Sequence, residues 1–176
     1  MLKKEVIVRV ATESHLPGIL EIYNDAILNT TAVYDYKPHT LEMRTQWFRE
    51  QQKNNFPIFV ALLNNKVVGF ASYGKFRMKQ GYKYTVEHSV YIHPDFRNQG
   101  IGKRLLAQII EAARENNIHC LIGGVDANNT GSIKFHEHFN FKEAGHLRQV
   151  AYKFGKWLDL KFLELILDTP ENPSEG

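Results

Sequence analysis

Residues 90–103 decide the fold of this chain, and they read VYIHPDFRNQGIGK. The β-branched and aromatic residues before Pro94 are typical of a strand, and Pro94 ends it. Gly100 and Gly102 then open a helix with apolar side chains at helical spacing. These side chains are Leu105, Leu106, Ile109, Ile110 and Ala113. The stretch therefore predicts a strand, a glycine-rich turn and an amphipathic helix.

The glycine-rich turn has two interpretations. Its glycines leave backbone N–H groups uncovered at a helix start, where the helix dipole favours an anion, and Arg97 and Lys103 add positive charge. A phosphate site is one interpretation and a plain tight turn is the other, because a lone Gly-x-Gly pair is a weak signal. A P-loop is excluded because Arg104 follows the lysine, and a Rossmann site is excluded because Leu105 and Leu106 stand near the third glycine position.

Hydrophobic periodicity predicts the other elements, outward from this turn. Before it we expect a strand, two helices and three strands, at residues 5–10, 12–27, 40–53, 58–63, 67–73 and 84–92. After its helix we expect a strand, a helix and two strands, at residues 118–125, 130–139, 141–153 and 157–167. Asn64 and Asn65 predict a tight hairpin, and Asn140 predicts a left-handed helix end. This order predicts an α/β fold with a mixed, mostly antiparallel sheet.

Length and composition favour one domain. The chain has 176 residues, 43% of them hydrophobic, so residues 1–167 are expected to form a single domain and residues 168–176 a flexible tail. The net charge of +3 does not call for a nucleic-acid partner. A single cysteine excludes an intramolecular disulfide, and no segment reads as a signal peptide or membrane span. A soluble cytoplasmic protein, bound neither to nucleic acid nor to a membrane, is expected.

Four stretches carry a family resemblance. RNQGIG at 97–102, with VYIHP before it, resembles the acetyl-CoA motif Arg/Gln-x-x-Gly-x-Gly/Ala of the GNAT N-acetyltransferase superfamily. The predicted element order matches that fold over almost the whole chain. TVEHSVY at 85–91, FHE at 135–137 and KFGKWLD at 153–159 resemble its phosphinothricin and methionine sulfoximine acetyltransferase branch. Asn140 departs from a family glycine, and Met78 departs from a proline of several relatives.

The resemblance implies how acetyl-CoA is bound. The turn is expected to bind the pyrophosphate, and the strand before it to splay from its parallel neighbour and pair with pantetheine, because a splayed pair leaves N–H and C=O groups free. Residues at the start of the following helix cap that helix or contact pantetheine, and these uses are compatible. The residues expected to bind acetyl-CoA are Val90, Tyr91, Ile92, Arg97, Asn98, Gln99, Gly100, Ile101, Gly102, Lys103, Asn128, Asn129 and Ser132.

Two residues are candidate catalytic groups. Glu87 lies in an otherwise apolar strand, so partial burial would raise its pKa and make it a base, and the resemblance assigns it that task. The alternative is an exposed carboxylate paired with Lys75 or Lys83. His136 stands where many GNAT enzymes have a tyrosine near the sulfur, so it is a candidate proton donor to the thiolate or an aid to amine deprotonation. The alternative is a partly exposed helical histidine.

The acceptor of an acetyl group would lie beside this base. A small amino acid carries a carboxylate, which Arg77 can bind at two points, although a solvated basic loop is the alternative. The residues expected to bind the acceptor are Tyr34, Lys75, Phe76, Arg77, Thr85, Val86 and Glu87. We expect no metal, because His136 and His138 face different directions on their helix. We also expect Cys120 to be inert packing.

The resulting functional prediction is acetyl-CoA-dependent N-acetylation of phosphinothricin, methionine sulfoximine or a similar small amino acid. Direct attack in a ternary complex is favoured over an acetyl-cysteine intermediate. The strand that begins near Trp157 is either core or a dimer contact, and the resemblance implies a homodimer. Two alternatives remain: acetylation of a protein N-terminus or another amine, and a noncatalytic CoA-binding module. A panel of acceptor amines separates them.

Overall fold

A computed structural model describes residues 5–175 and contains seven strands and four α-helices within them. The strands are β1 (Ile7–Val10), β2 (Ile58–Leu63), β3 (Lys66–Lys75), β4 (Thr85–Ile92), β5 (Cys120–Asp126), β6 (Lys142–Lys153) and β7 (Lys156–Ile166). The helices are α1 (Leu16–Asn29), α2 (Leu41–Lys53), α3 (Ile101–Glu115) and α4 (Thr130–Glu137). The predicted element order is confirmed.

One sheet holds all seven strands in the order β1-β2-β3-β4-β5-β7-β6. Every neighbouring pair is antiparallel except β4 with β5. The β4–β5 ladder runs only from Thr85 opposite Cys120 to Glu87 opposite Ile122. Beyond Glu87 both strands continue without pairing to each other, so the predicted splay is confirmed.

The helices cover opposite faces of this sheet. Successive side chains of a strand point to opposite faces, and the two main clusters of buried residues follow that alternation. Ala61, Val68 and Val86 belong to the cluster that contains the α3 side chains. Val60 and Phe70 belong to the cluster that contains the buried side chains of α1 and α2. The sheet is therefore sandwiched between two helical layers.

Several local predictions are confirmed. Asn64 and Asn65 have φ values of 51° and 64° in the turn between β2 and β3, and Asn140 has a φ of 66° after α4. All five predicted apolar residues of α3 are buried. Thr40 caps α2, because its hydroxyl accepts a hydrogen bond from the Met43 N–H at 3.2 Å.

The predicted apolar anchors of α2 were partly wrong. Leu41 was expected to face the core, but its side chain is 48% exposed, whereas Phe48 is buried as expected. The buried face of α2 instead includes Arg44 and Gln51. The spacing of residues 44, 47, 48 and 51 places them on one side of the helix, and Leu41 lies in its first turn at the edge of that side.

The end of the chain contacts the domain at two places. The Thr169 carbonyl lies 2.9 Å from His119 Nδ1, and the Ser174 N–H donates to the Tyr84 hydroxyl at 3.0 Å. The boundary after residue 167 and the flexibility of the tail stay predictions. Within residues 5–175, no helix combines the length and the apolar character needed to cross a membrane.

Candidate active site

The divergence of β4 and β5 opens a cavity of about 740 Å³. Its lining comes from both strands, from the turn before α3, from the start of α4 and from α1. Most of the residues predicted to bind acetyl-CoA lie on its wall. They are Val90, Tyr91, Ile92, Arg97, Asn98, Gly100, Ile101, Gly102, Lys103, Asn129 and Ser132. Gln99 and Asn128, also predicted, do not line it.

The turn before α3 presents its backbone amides to this cavity. Gly100 is the residue before the helix and has φ 78°, a left-handed conformation that glycine adopts without a Cβ penalty. Asn98, two residues earlier, is also left-handed, with φ 60°. The first intrahelical bond runs from Arg104 N–H to the Gly100 carbonyl at 3.3 Å, so the amides of residues 101–103 precede the helical ladder. Such a helix start binds phosphate oxygens.

Positive side chains flank the turn. Arg97 Nη2 lies 3.4 Å from Asp25 Oδ2 on α1, and Lys103 Nζ lies 3.4 Å from His138 Nε2. Both contacts are long and exposed, so they hold these cations only weakly in place. The Gln99 amide donates to the Asp95 carbonyl at 3.3 Å, which explains why this side chain points away from the cavity.

The start of α4 forms the opposite wall. Asn129 caps α4, because its Oδ1 accepts a hydrogen bond from the Ser132 N–H at 3.0 Å. The Asn128 N–H donates to Asp126 Oδ1 at 2.9 Å and belongs to the turn that leads into the helix. The capping interpretation is therefore confirmed for Asn129, which also lines the cavity.

Glu87 stands at the point where β4 and β5 separate. A Cβ added at Gly124, which lines the cavity, would lie 3.0 Å from Glu87 Oε1. The Glu87 side chain is exposed in part, but the loss of hydration on its protein side raises the pKa of its carboxyl group, and the Arg77 charge partly opposes this. The predicted rise is confirmed in direction, and Arg77, rather than Lys75 or Lys83, is the cation that acts on Glu87.

The other predicted acceptor residues are dispersed around this point, and none of them lines the cavity. The Tyr34 hydroxyl is buried without a hydrogen-bond partner in residues 5–175, and its pKa is raised by burial and by Asp126 and Asp159. Phe76 packs edge-on against Phe162, with ring centroids 6.1 Å apart.

Three predicted acceptor residues lie in the strand ladders. Lys75 is exposed and pairs with Val86, while Thr85 pairs with Cys120. Val86 is buried in the core cluster below α3, on the opposite face of β4 from Glu87. The Val86 side chain therefore packs in the core, and the predicted contact of Val86 with the acceptor, which would have to come from its backbone, stays a prediction.

His136 is buried and bonded on both ring nitrogens. Its Nδ1 lies 2.7 Å from the Ser132 carbonyl, so Nδ1 carries the hydrogen and donates it. Its Nε2 therefore accepts, at 3.0 Å, from Nε2 of His88, which is also buried. The alternative interpretation, a partly exposed helical histidine, is wrong.

Burial keeps both rings of this histidine pair neutral. It lowers the pKa of His136, and together with the neighbouring His136 it lowers the pKa of His88 to about 3. A neutral His136 whose lone pair is already engaged is a poor proton donor at neutral pH. Its predicted role as proton donor stays a prediction, and the geometry does not favour it.

Comparison with known proteins identifies the family. Residues 19–141 match the acetyltransferase (GNAT) family. The chain belongs to the GNAT family. It is 43% identical over 162 residues to an L-methionine sulfoximine/L-methionine sulfone acetyltransferase of Pseudomonas aeruginosa, covering 92% of this chain and 94% of the relative.

Two solved structures are similar to this chain in fold and sequence. A GNAT superfamily phosphinothricin acetyltransferase from Sinorhizobium meliloti in complex with AcCoA has a TM-score of 0.93 and 30% identity, covering 97% of this chain and 94% of that one. A ribosomal-protein-alanine N-acetyltransferase from Brucella melitensis has a TM-score of 0.90 and 46% identity, covering 92% and 99%.

The site of this GNAT protein has the chemistry that acetyl-CoA requires. Free amides and two cations at one end of the cavity suit a pyrophosphate, and the unpaired edges of β4 and β5 suit the amide groups of pantetheine. Within residues 5–175, no group of three or more His, Cys, Asp or Glu side chains is arranged to hold a metal ion.

Sequence reasoning missed a second cavity on the other side of β4. It measures about 340 Å³ and shares only Ser89 and Tyr91 with the first. Arg44 on α2 supplies its buried cation. An arginine at helical spacing from Phe48 and Gln51 was the available signal, but charged residues are almost never fully buried, and this arginine was not singled out.

Proposed function

We propose that this GNAT protein transfers an acetyl group from acetyl-CoA to the α-amine of a small amino acid or analogue, with methionine sulfoximine and phosphinothricin as leading acceptors. The observation that carries the proposal is the cavity between the splayed strands, because it extends from an anion-binding turn to Gly124, beside which the carboxylate of Glu87 lies. The names of the relatives support the acceptor class.

The chain's own residues would act in sequence. Backbone amides at Gly102 and Lys103 hold the pyrophosphate, and the free edge of β4 at Val90 and Ile92 orients the pantetheine arm. Acetyl-CoA supplies a thioester, whose carbonyl carbon the neutral amine attacks; the C–S bond then breaks, and CoA leaves as a thiolate that takes up the second proton lost by the nitrogen. Glu87 takes the ammonium proton, directly or through a water molecule, and its raised pKa suits a base of this kind. Direct attack requires no covalent enzyme intermediate, which agrees with burial and a raised pKa of Cys120.

The protein is further proposed to act in the cytoplasm as a homodimer. Exposed apolar side chains gather on the β6–β7 hairpin, where Trp157 is 59% exposed and stacks edge-on with Tyr152 at 5.2 Å. Phe154 in the hairpin turn is exposed as well. Such a surface suits contact with a second copy of the chain. Analytical ultracentrifugation of the wild-type protein and of a Trp157→Glu variant tests this assembly.

The test of the activity is release of free CoA thiol from acetyl-CoA in the presence of candidate acceptors. The panel contains methionine sulfoximine, methionine sulfone, phosphinothricin, polyamines and a peptide with an N-terminal alanine. We expect the amino acids to give the highest kcat/KM. Preference for the peptide would favour the alternative suggested by the name of the Brucella protein. CoA binding without thiol release for any amine would favour the noncatalytic module.

A further inference from the structure

The second cavity combines aromatic walls with a buried cation. It lies between α2 and the sheet, and its apolar lining includes rings from four elements. Tyr23, Trp47, Phe70 and Tyr91 supply these rings. Polar groups are present as well, since Ser72 and Ser89 of neighbouring strands contribute to the lining. A volume of about 340 Å³ is suited to a short side chain rather than to a whole coenzyme.

Arg44 is the unusual member of this lining. It is only 4% exposed, and its guanidinium lies 3.8 Å from the Tyr23 ring centroid and 4.6 Å from that of Trp47. Within residues 5–175 no carboxylate lies within 4 Å of it, and its Nε has no hydrogen-bond partner. A buried charge without a direct counterion is costly unless a ligand or a network compensates it.

The nearest carboxylate is connected to Arg44 only through an intervening residue, His39. Arg44 Nη2 donates to His39 Nδ1 at 3.0 Å, which leaves the hydrogen of that imidazole on Nε2. His39 Nε2 in turn donates to Asp35 Oδ2 at 3.0 Å. Asp35 is thus one residue removed from the guanidinium. The other edges of the guanidinium keep hydrogen-bonding capacity for an acceptor oxygen.

The register of β4 relates this cavity to the reacting centre. Glu87, Ser89 and Tyr91 lie on the same face of β4, opposite Gly74, Ser72 and Phe70 of β3. Two residues along a strand span about 7 Å. The reach from the α-nitrogen of an amino acid to the end of a four-atom side chain is on the order of 6–7 Å, because five bonds of about 1.5 Å each form an extended zigzag. An acceptor with its amine at Glu87 can therefore extend its side chain to the Ser72–Ser89 pair.

We propose that the Arg44 cavity is the side-chain subsite of the acceptor and that Arg44 binds a strongly polarised oxygen there, such as that of a sulfone, sulfoximine or phosphinate. This inference rests on the proposed acetylation of an amino acid and deepens it. Arg44 becomes the residue that selects acceptors with such an oxygen over the parent thioether. The aromatic walls exclude water and strengthen that contact.

The test compares L-methionine sulfone with L-methionine, which lacks the two oxygens. The wild-type protein should favour the sulfone by about 10- to 100-fold in kcat/KM, the range of one hydrogen bond to a charged group. Arg44→Met should reduce this preference to within about threefold, chiefly through the KM of the sulfone, while methionine is affected little. Arg44→Lys, which keeps the charge, should restore part of the preference.

Arg49→Met is the matched control. Arg49 lies on the same helix but is exposed, with Nε 3.8 Å from Glu13, so its loss should leave the preference unchanged. Equal loss of activity toward both acceptors in Arg44→Met would reveal a purely structural arginine and overturn the inference. An undiminished preference for the sulfone in folded Arg44→Met or Arg44→Lys would overturn it too. Equal kcat/KM values of the wild-type protein for methionine sulfone and methionine would also overturn the inference.

A binding measurement separates this inference from the proposed function. The sequence contains two tryptophans, so Trp157→Phe leaves Trp47, which lines the cavity, as the sole indole fluorophore. Methionine sulfone should change the Trp47 emission, and Arg44→Met should weaken the apparent affinity at least about tenfold. A response without acetyl transfer would refute the enzyme function but keep the subsite. Acetyl transfer without any response would keep the enzyme and refute the subsite.

Discussion

Replacing Lys153 with methionine should loosen the segment between α1 and α2 that carries Tyr34. Lys153 closes β6 and is only 4% exposed. Its ammonium group donates three hydrogen bonds, at 2.5–2.8 Å, to the backbone carbonyls of Ile27, Thr30 and Val33. All three donors are therefore used to hold the end of α1 and the start of the loop against the β6–β7 hairpin.

The expected loss of stability follows from the backbone carbonyls that Lys153→Met leaves without a hydrogen-bond donor. The carbonyls of Ile27 and Val33 are bonded in a buried setting, whereas the bond to Thr30 is only partly buried and water can replace it. Each buried acceptor left without a partner costs about 1–3 kcal/mol. Methionine fills most of the volume, so we expect a net loss of about 3 kcal/mol. For a chain of this size that lowers Tm by about 6–12 °C.

Thermal unfolding followed by circular dichroism measures this change, with Lys156→Met as the matched control. Lys156 lies in the same hairpin but is exposed, so its replacement should shift Tm by less than about 2 °C. The KM for the acceptor should also rise in Lys153→Met, because Tyr34 loses its support. A Tm equal to that of the wild-type protein would show that these carbonyls find other partners and would refute the reasoning.

Three further variants test the site. Glu87→Gln should lower kcat by about 10²–10⁴-fold. In the wild-type protein kcat should fall as pH drops through the raised pKa of Glu87, and the variant should lack this fall. An unchanged pH profile would show that Glu87 is not the base. Gly100→Ala should weaken acetyl-CoA binding in calorimetry, because the φ of 78° at this position costs alanine about 1–2 kcal/mol. If the turn shifts to relieve that strain, Kd should rise about five- to thirtyfold. Equal Kd values would mean that the turn tolerates the strain. Gly123→Ala would place a Cβ 3.0 Å from both His136 Nε2 and His88 Cε1, so urea unfolding should show a loss of about 1–3 kcal/mol, and full stability would mean that the histidine pair adapts.

The sequence was sufficient for the fold because its strongest signals are local and periodic. The stripe of α3 repeats at helical spacing over three turns, and Asn64–Asn65 is a direct signal for a tight hairpin. The glycine-rich turn was located to the residue because only glycine readily adopts the conformation of Gly100. Each of these features depends on a few neighbouring residues and not on distant contacts.

The acceptor side was harder to predict because distant segments build it. Tyr34 comes from a loop, Arg77 from the segment after β3 and Arg44 from α2, and no spacing in the sequence relates them. Lys153 was quoted only as part of a family motif, yet it holds a loop more than 100 residues away in the chain. Tertiary contacts of this kind override the rule that charged side chains stay at the surface.

The alternation of β4 explains why the two halves of the site differ in how well they could be predicted. Val86 and His88 face α3 and α4, whereas Glu87, Ser89 and Tyr91 face α1 and α2. In the proposed reaction the coenzyme lies between these strands and is bound largely by backbone groups, whose positions the strand and turn signals predict. In the proposed subsite the acceptor contacts side chains on one face of β4 and the helix that covers that face. If the Arg44 cavity selects the acceptor as proposed, a single substitution on α2 is expected to change the choice of acceptor without disturbing the binding of acetyl-CoA.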